Sequence, residues 1–129
     1  MIISGSQVRL WGIRPPPADQ SCRDDTGDLF PCGRIAATAL GALTAGRLLE
    51  CDVRSFNQDV GIVARCSADQ VDLAGFQVLA GYAIDVPAVS GGSYRTEQLA
   101  AIERRAGIWR SLFPWPSFAP QPRHEGRHQ

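Results

Sequence analysis

The chain has 129 residues, enough for one compact domain and too few for two. Its 13 basic and 13 acidic residues cancel, which excludes a bulk attraction to polyphosphates, whose binding rests on many cation–phosphate contacts. No apolar run approaches the roughly 18–20 residues of a membrane span, so no membrane partner is expected. Met1 to Gln7 lacks the basic-then-apolar order of a visible signal peptide.

In chain order, Val8-Arg9-Leu10-Trp11-Gly12-Ile13 alternates in character and predicts a strand, stopped by Pro15 to Pro17. Ala18 to Pro31 is polar, acidic and broken by Gly27, and predicts a surface loop. From Gly33 to Ala45 the stripe Ile35, Ala39, Leu40 and Leu43 predicts a helix, with Gly46 as its C-terminal cap. Arg47 to Val53 and Val60 to Cys66 read as two strands joined by a turn over Arg54 to Asp59. Asp72 suits the N-cap of a short helix with Leu73, Phe76, Leu79 and Ala80 on its apolar face, ending at Gly81. Beyond Ser90-Gly91-Gly92, Ser93 is expected to cap a third helix bearing Leu99, Ile102, Ala106 and Trp109. After Phe113 the chain turns proline-rich and polar. The reading is one domain over 1–118 and a flexible tail over 119–129.

This order of elements predicts an α+β domain, a small barrel-like sheet covered by helices. Four cysteines, Cys22, Cys32, Cys51 and Cys66, fall as two close pairs, although three pairings are formally open. Their spacing suits neither a zinc knuckle nor a redox Cys-x-x-Cys pair. Two disulfides at roughly 2–4 kcal/mol each would matter in a domain this small and would imply an oxidising compartment. A periplasmic or secreted location is the expectation. A cytoplasmic protein with reduced, buried cysteines is the alternative.

Several blocks resemble one family in order. Val8-Arg-Leu-Trp-Gly-Ile13, Pro31-Cys-Gly-Arg-Ile-Ala-Ala-Thr-Ala-Leu40, Val63-Ala-Arg-Cys66, Val71-Asp-Leu-Ala74, Leu79-Ala-Gly-Tyr-Ala83 and Arg104-Arg-Ala-Gly-Ile-Trp109 with Phe113-Pro-Trp-Pro116 are similar to staphylococcal-nuclease-like (thermonuclease-like) domains. The resemblance spans about Gln7 to Phe118. It implies a mainly β domain, an OB-fold barrel of five strands with three helices, its first strands truncated here. It also implies the pairing Cys22–Cys32 and Cys51–Cys66.

Family nucleases cut phosphodiesters with a calcium ion held by carboxylates, a Glu activating water and two Arg neutralising the phosphate. Carried over residue by residue, Arg9 matches the first phosphate-binding Arg. Arg14 stands where a metal-ligand Asp is expected, Pro17 where the Glu is expected, and Gly61 where the second Arg is expected. The upstream acidic ligand stretch has no counterpart in Met1 to Gln7. The resemblance therefore implies a catalytically inactive nuclease-like binding or scaffold module, with no bound metal or cofactor and an unidentified protein partner. Two alternatives stand beside it. One is a calcium-dependent nuclease with a rebuilt site; the other is weak single-stranded nucleic-acid binding without cleavage.

Other residues carry sharper and blander readings. Asp19, Asp24, Asp25 and Asp28 could gather a cation but lack the ligand order of a calcium loop, and read as solvated. Gly41 to Arg47 lacks the Lys of a phosphate-binding loop and closes a helix instead of opening one. His124 and His128 lie in the polar tail. Phe113, Trp115 and Phe118 read as packing residues, and Trp11 as a candidate contact on the barrel exterior. A barrel short of a strand has an exposed edge, through which a homodimer could form.

Overall fold

The computed structural model describes residues 1–3, 5–59 and 61–110. The chain begins with a short hairpin: β1 (Ile2–Ile3) runs antiparallel to β2 (Ser6–Leu10), Ile3 facing Ser6. The expected strand over Val8 to Ile13 is broken at Gly12. Gly12 has φ +85°, a backbone that side chains resist, and a Cβ there would lie 3.1 Å from both Ser90 and Tyr94. The chain resumes as β3 (Ile13–Arg14) and passes Pro15 to Pro17.

The acidic loop holds a miniature hairpin of β4 (Cys22–Arg23) and β5 (Leu29–Phe30), which the composition did not foretell. Asp24 folds its turn by accepting from the Thr26 hydroxyl at 2.7 Å and from the Asp28 amide at 3.0 Å. The Cys22–Cys32 disulfide closes the loop onto α1 (Cys32–Thr44). This helix matches the expected one, and Gly46, just past its end, has φ +69°.

Next come β6 (Leu49–Asn57) and β7 (Gly61–Ala68), an antiparallel pair bridged by the Cys51–Cys66 disulfide, whose Cα atoms are 4.0 Å apart. β6 runs on through the segment expected to turn, because a bulge at Arg54 lets pairing continue to Asn57. β8 (Val71–Asp72) folds back on β7 through Asp69 and Gln70, both at positive φ. α2 (Leu73–Leu79) follows. Leu73, Ala74 and Val78 are its buried apolar positions, whereas Phe76 and Leu79, expected on that face, are exposed. β9 (Ile84–Asp85) pairs with β3, and α3 (Pro87–Ser90) leads to α4 (Arg95–Arg104) and a 3₁₀ turn at Gly107–Arg110. Ser93 does not cap α4. Tyr94 occupies the cap position without a side-chain bond, and the Ser93 hydroxyl donates to the Ser90 carbonyl instead.

The architecture is α+β. Its main sheet runs β1-β2-β7-β6, with β2 parallel to β7 and β8 added on β7. Among the described residues the sheet does not close, so the five-stranded barrel is not seen; β1 and β6 are its edges. Three buried clusters hold it together. Val8, Ala64, Cys66, Ala68 and Leu73 lie between sheet and helices. Ala74 and Val78 of α2 pack with Ala83 and Tyr94, and Cys32, Ile84, Ala101, Ile108 and Trp109 form the third cluster. Full burial of side chains such as Leu73 contributes about 1.5–3 kcal/mol each. No helix among the described residues is long and apolar enough to cross a membrane. Phe113, Trp115, Phe118, His124, His128 and the 119–129 tail lie outside the described residues.

The start of α1 presses directly on the proline segment: a Cβ on Gly33 would sit 1.8 Å from the Pro17 carbonyl oxygen. Gly33→Ala should therefore destabilise the fold by about 1–3 kcal/mol or more. Gly41→Ala, in open space on the same helix, should stabilise it by about 0.5–1 kcal/mol. Urea unfolding of the two variants checks the contrast.

Candidate functional site

Three of the positions singled out in the sequence, Arg9, Arg14 and Pro17, line one groove of about 1090 Å³ running along β2 and the proline segment, whereas Gly61 does not line it. Arg9 projects from β2 opposite Val63 of β7, and its side chain is exposed. Arg14 ends β3, exposed, and Pro17 follows three residues after it on the same wall. Arg54, the bulged residue of β6, lines the groove too. The lining thus carries three arginines, and none of its residues is a carboxylate, histidine or cysteine.

Gly61 lies one residue before the β2–β7 pairing begins, 3.4 Å from the Gln7 carbonyl by its would-be Cβ. Its φ of +86° places it in the left-handed region, so an Arg at this position would be strained. Pro17 likewise serves the backbone: its carbonyl accepts from the Gln20 amide at 2.9 Å and packs on Gly33. Both residues shape the chain where the resemblance expects chemistry.

Behind this groove lies a network that the sequence did not signal. Asp72 caps α2 by accepting from the Ala74 amide at 3.1 Å. Its other oxygen accepts from the Tyr94 hydroxyl at 2.8 Å and from Arg65 Nε at 2.9 Å. The Arg65 guanidinium lies over the rings of Trp11, at 5.6 Å, and Tyr94, at 5.5 Å. Arg54 covers Trp11 at 4.5 Å, and Trp11 meets Tyr94 edge-on. Trp11 is therefore half-buried in an aromatic–arginine stack. Burial first, and then the bond to Asp72, raises the Tyr94 phenol above its ordinary value of 10.0. The bond to Asp72 also raises Arg65, which stays charged. Only the capping role of Asp72 was legible, since neither Arg65 nor Tyr94 stands at helical or strand spacing from it.

Gln77 is a further buried polar group in the groove wall. It donates to the Ala36 carbonyl at 3.3 Å, while its Oε1 has no partner among the described residues. The loop acids Asp24, Asp25 and Asp28 are engaged elsewhere. Asp24 holds its own turn, the Thr26 hydroxyl keeping its carboxyl below the ordinary value, and Asp25 pairs with Arg105 at 3.7 Å. Among the described residues no group of three metal-ligating side chains gathers.

No protein-family model matches the sequence. Over 111 residues, 84% of the chain, it is 32% identical to the succinoglycan biosynthesis protein ExoI of Rhizobium meliloti (strain 1021), a distant homologue. The chain spans 58% of that protein's length.

Tyr94→Phe should cost about 1–2 kcal/mol and Asp72→Ala, which strips three donors of their acceptor, about 2–4 kcal/mol. The folded protein holds the Tyr94 proton more tightly than the unfolded chain does. Its contribution is therefore complete below the ordinary phenol range and is lost as pH climbs through the raised value. Denaturation of wild type and Tyr94→Phe from neutral to strongly alkaline pH should show the gap closing only at the alkaline end.

Proposed function

We propose that this chain is a catalytically inactive nuclease-like domain that works as a binding or scaffold module. The observation that carries the reading is the lining of the β2 groove: Arg9, Arg14 and Arg54 with no carboxylate among them. A hard divalent cation needs oxygen ligands, commonly carboxylates, and three guanidinium groups repel it. Arg14 adds a positive charge where the resemblance puts a ligand. Pro17 has no titratable group with which to activate water. The parallel pairing of β2 with β7 and the antiparallel β6–β7 pair support an opened version of the OB barrel.

The same lining suits carboxylate or phosphate groups on a partner, which guanidinium groups recognise through paired hydrogen bonds. The unpartnered Gln77 acceptor adds a place for a donor, such as a hydroxyl or amide, at the groove wall. The similarity to a succinoglycan biosynthesis protein supports a role beside polysaccharide assembly. The two disulfides fit an oxidising compartment, and with that similarity they support a periplasmic or secreted site of action.

Calorimetric titration of calcium, with and without a nucleotide bisphosphate, tests this reading. The expected result is no calcium-dependent heat in either arm. Saturable calcium binding that strengthens with the nucleotide would show that carboxylates elsewhere had rebuilt a metal site.

A further inference from the structure

We propose that the groove along β2 binds a sugar acid, a hydroxyl-bearing ring that carries a carboxylate, without a metal. The proposal rests on the reading of this groove as a metal-free binding site and names the class of ligand it takes. Two independent observations carry it: unpaired positive charge along the lining, and an unmet acceptor in the wall.

Arg9 and Arg14 line the groove, are exposed, and form no ion pair among the described residues. Arg54 is held in place by Asp52 at 3.2 Å and by the Trp11 ring at 4.5 Å. Arg9 and Ser55 stand on either side of Val63 across the sheet. Arg9 and the bulge at Arg54 are therefore two strand spacings apart, about 10 Å. That spacing suits anionic groups repeated along a ligand. A planar carboxylate meets each guanidinium through paired hydrogen bonds.

Gln77 selects among anions. It lines the same groove at 2% exposure, its amide donates to the Ala36 carbonyl, and its Oε1 has no partner among the described residues. An acceptor so enclosed is reached by a donor that projects as a single atom. A sugar hydroxyl does so. A peptide N–H is set back between two Cα atoms, and a phosphodiester offers no donor at all. Pro15, Pro17 and Val89 add exposed apolar surface to the lining, against which the C–H face of a sugar ring packs. At about 1090 Å³ the groove exceeds the roughly 300–1,000 Å³ of a pocket for one small molecule, which leaves room for more than one ring.

Calorimetry with a short oligogalacturonate in the presence of a chelator tests the proposal, beside a maltooligosaccharide, an oligoglutamate of matched length and inorganic phosphate. The oligogalacturonate should bind saturably, more weakly as salt rises, and roughly tenfold or more tighter than each of the others. Arg9→Gln and Arg14→Gln, both at exposed positions, should each weaken it roughly fivefold or more. Gln77→Met should do the same; if that variant fails to fold, O-acetylating the sugar hydroxyls tests the same contact on wild type and should weaken binding as much. Monomeric galacturonate separates the two sources of this chemistry: equal affinity assigns a free sugar acid, and weaker affinity an acidic polysaccharide. Neutral sugar, oligoglutamate or phosphate binding as tightly would overturn the proposal, and so would affinity indifferent to the arginine variants and to acetylation. No binding at all, with the calcium titration also silent, would overturn it and leave the metal-free reading standing. Binding that appears only when calcium is added would overturn both.

Discussion

One carboxylate, that of Asp72, joins three parts of the chain that share no sequence neighbourhood. It ends β8 and caps α2, fixing the point where sheet becomes helix. It also accepts from Arg65 on β7 and from Tyr94, just before α4. A capping acid alone stabilises by about 1 kcal/mol. Two further donors, one of them charged, give this acid a larger share of a marginally stable fold. Tyr94, positioned by that bond, fills the space that Gly12 leaves open, and Gly12 in turn breaks the first long strand. The break sends the chain into the proline segment and so shapes the groove wall.

The residues that stand at the family's functional positions differ in kind. Arg14 changes the charge, whereas Pro17 and Gly61 serve the backbone. Pro17 packs its carbonyl on Gly33, and Gly61 takes a left-handed turn into β7. An Arg at Gly61 would therefore meet backbone strain, whereas the Pro17 contacts are made by its carbonyl. The three arginines that line the groove are the kind of side chain that pairs with anionic groups.

Much of the helical framework was legible because its signals are local. The apolar stripe and terminal Gly46 marked α1 within a residue, and Asp72 marked the start of α2. The disulfide pairings are those that the resemblance implied. What escaped depends on contacts across the chain. β6 continued past its expected turn because a bulge at Arg54 restored register, and nothing in Arg-Ser-Phe-Asn announces a bulge. The tight return at Asp69 and Gln70 uses positive φ without the Asn-Gly or Asp-Gly pair that normally signals it. Phe56, Phe76 and Leu99 are apolar yet exposed, and periodicity cannot tell an uncovered face from a buried one. At the candidate site, Arg9, Arg14 and Pro17 were legible as positions, whereas Arg54 joined them only through the fold.

The inactivity of the groove is the claim on which the functional account stands. A cleavage assay on single-stranded DNA in excess calcium, read over long incubation beside an active calcium-dependent nuclease, tests it most directly. The account predicts no product above the protein-free control at any calcium concentration. Calcium-dependent cleavage that co-purifies with the folded chain and is abolished by chelation would contradict it.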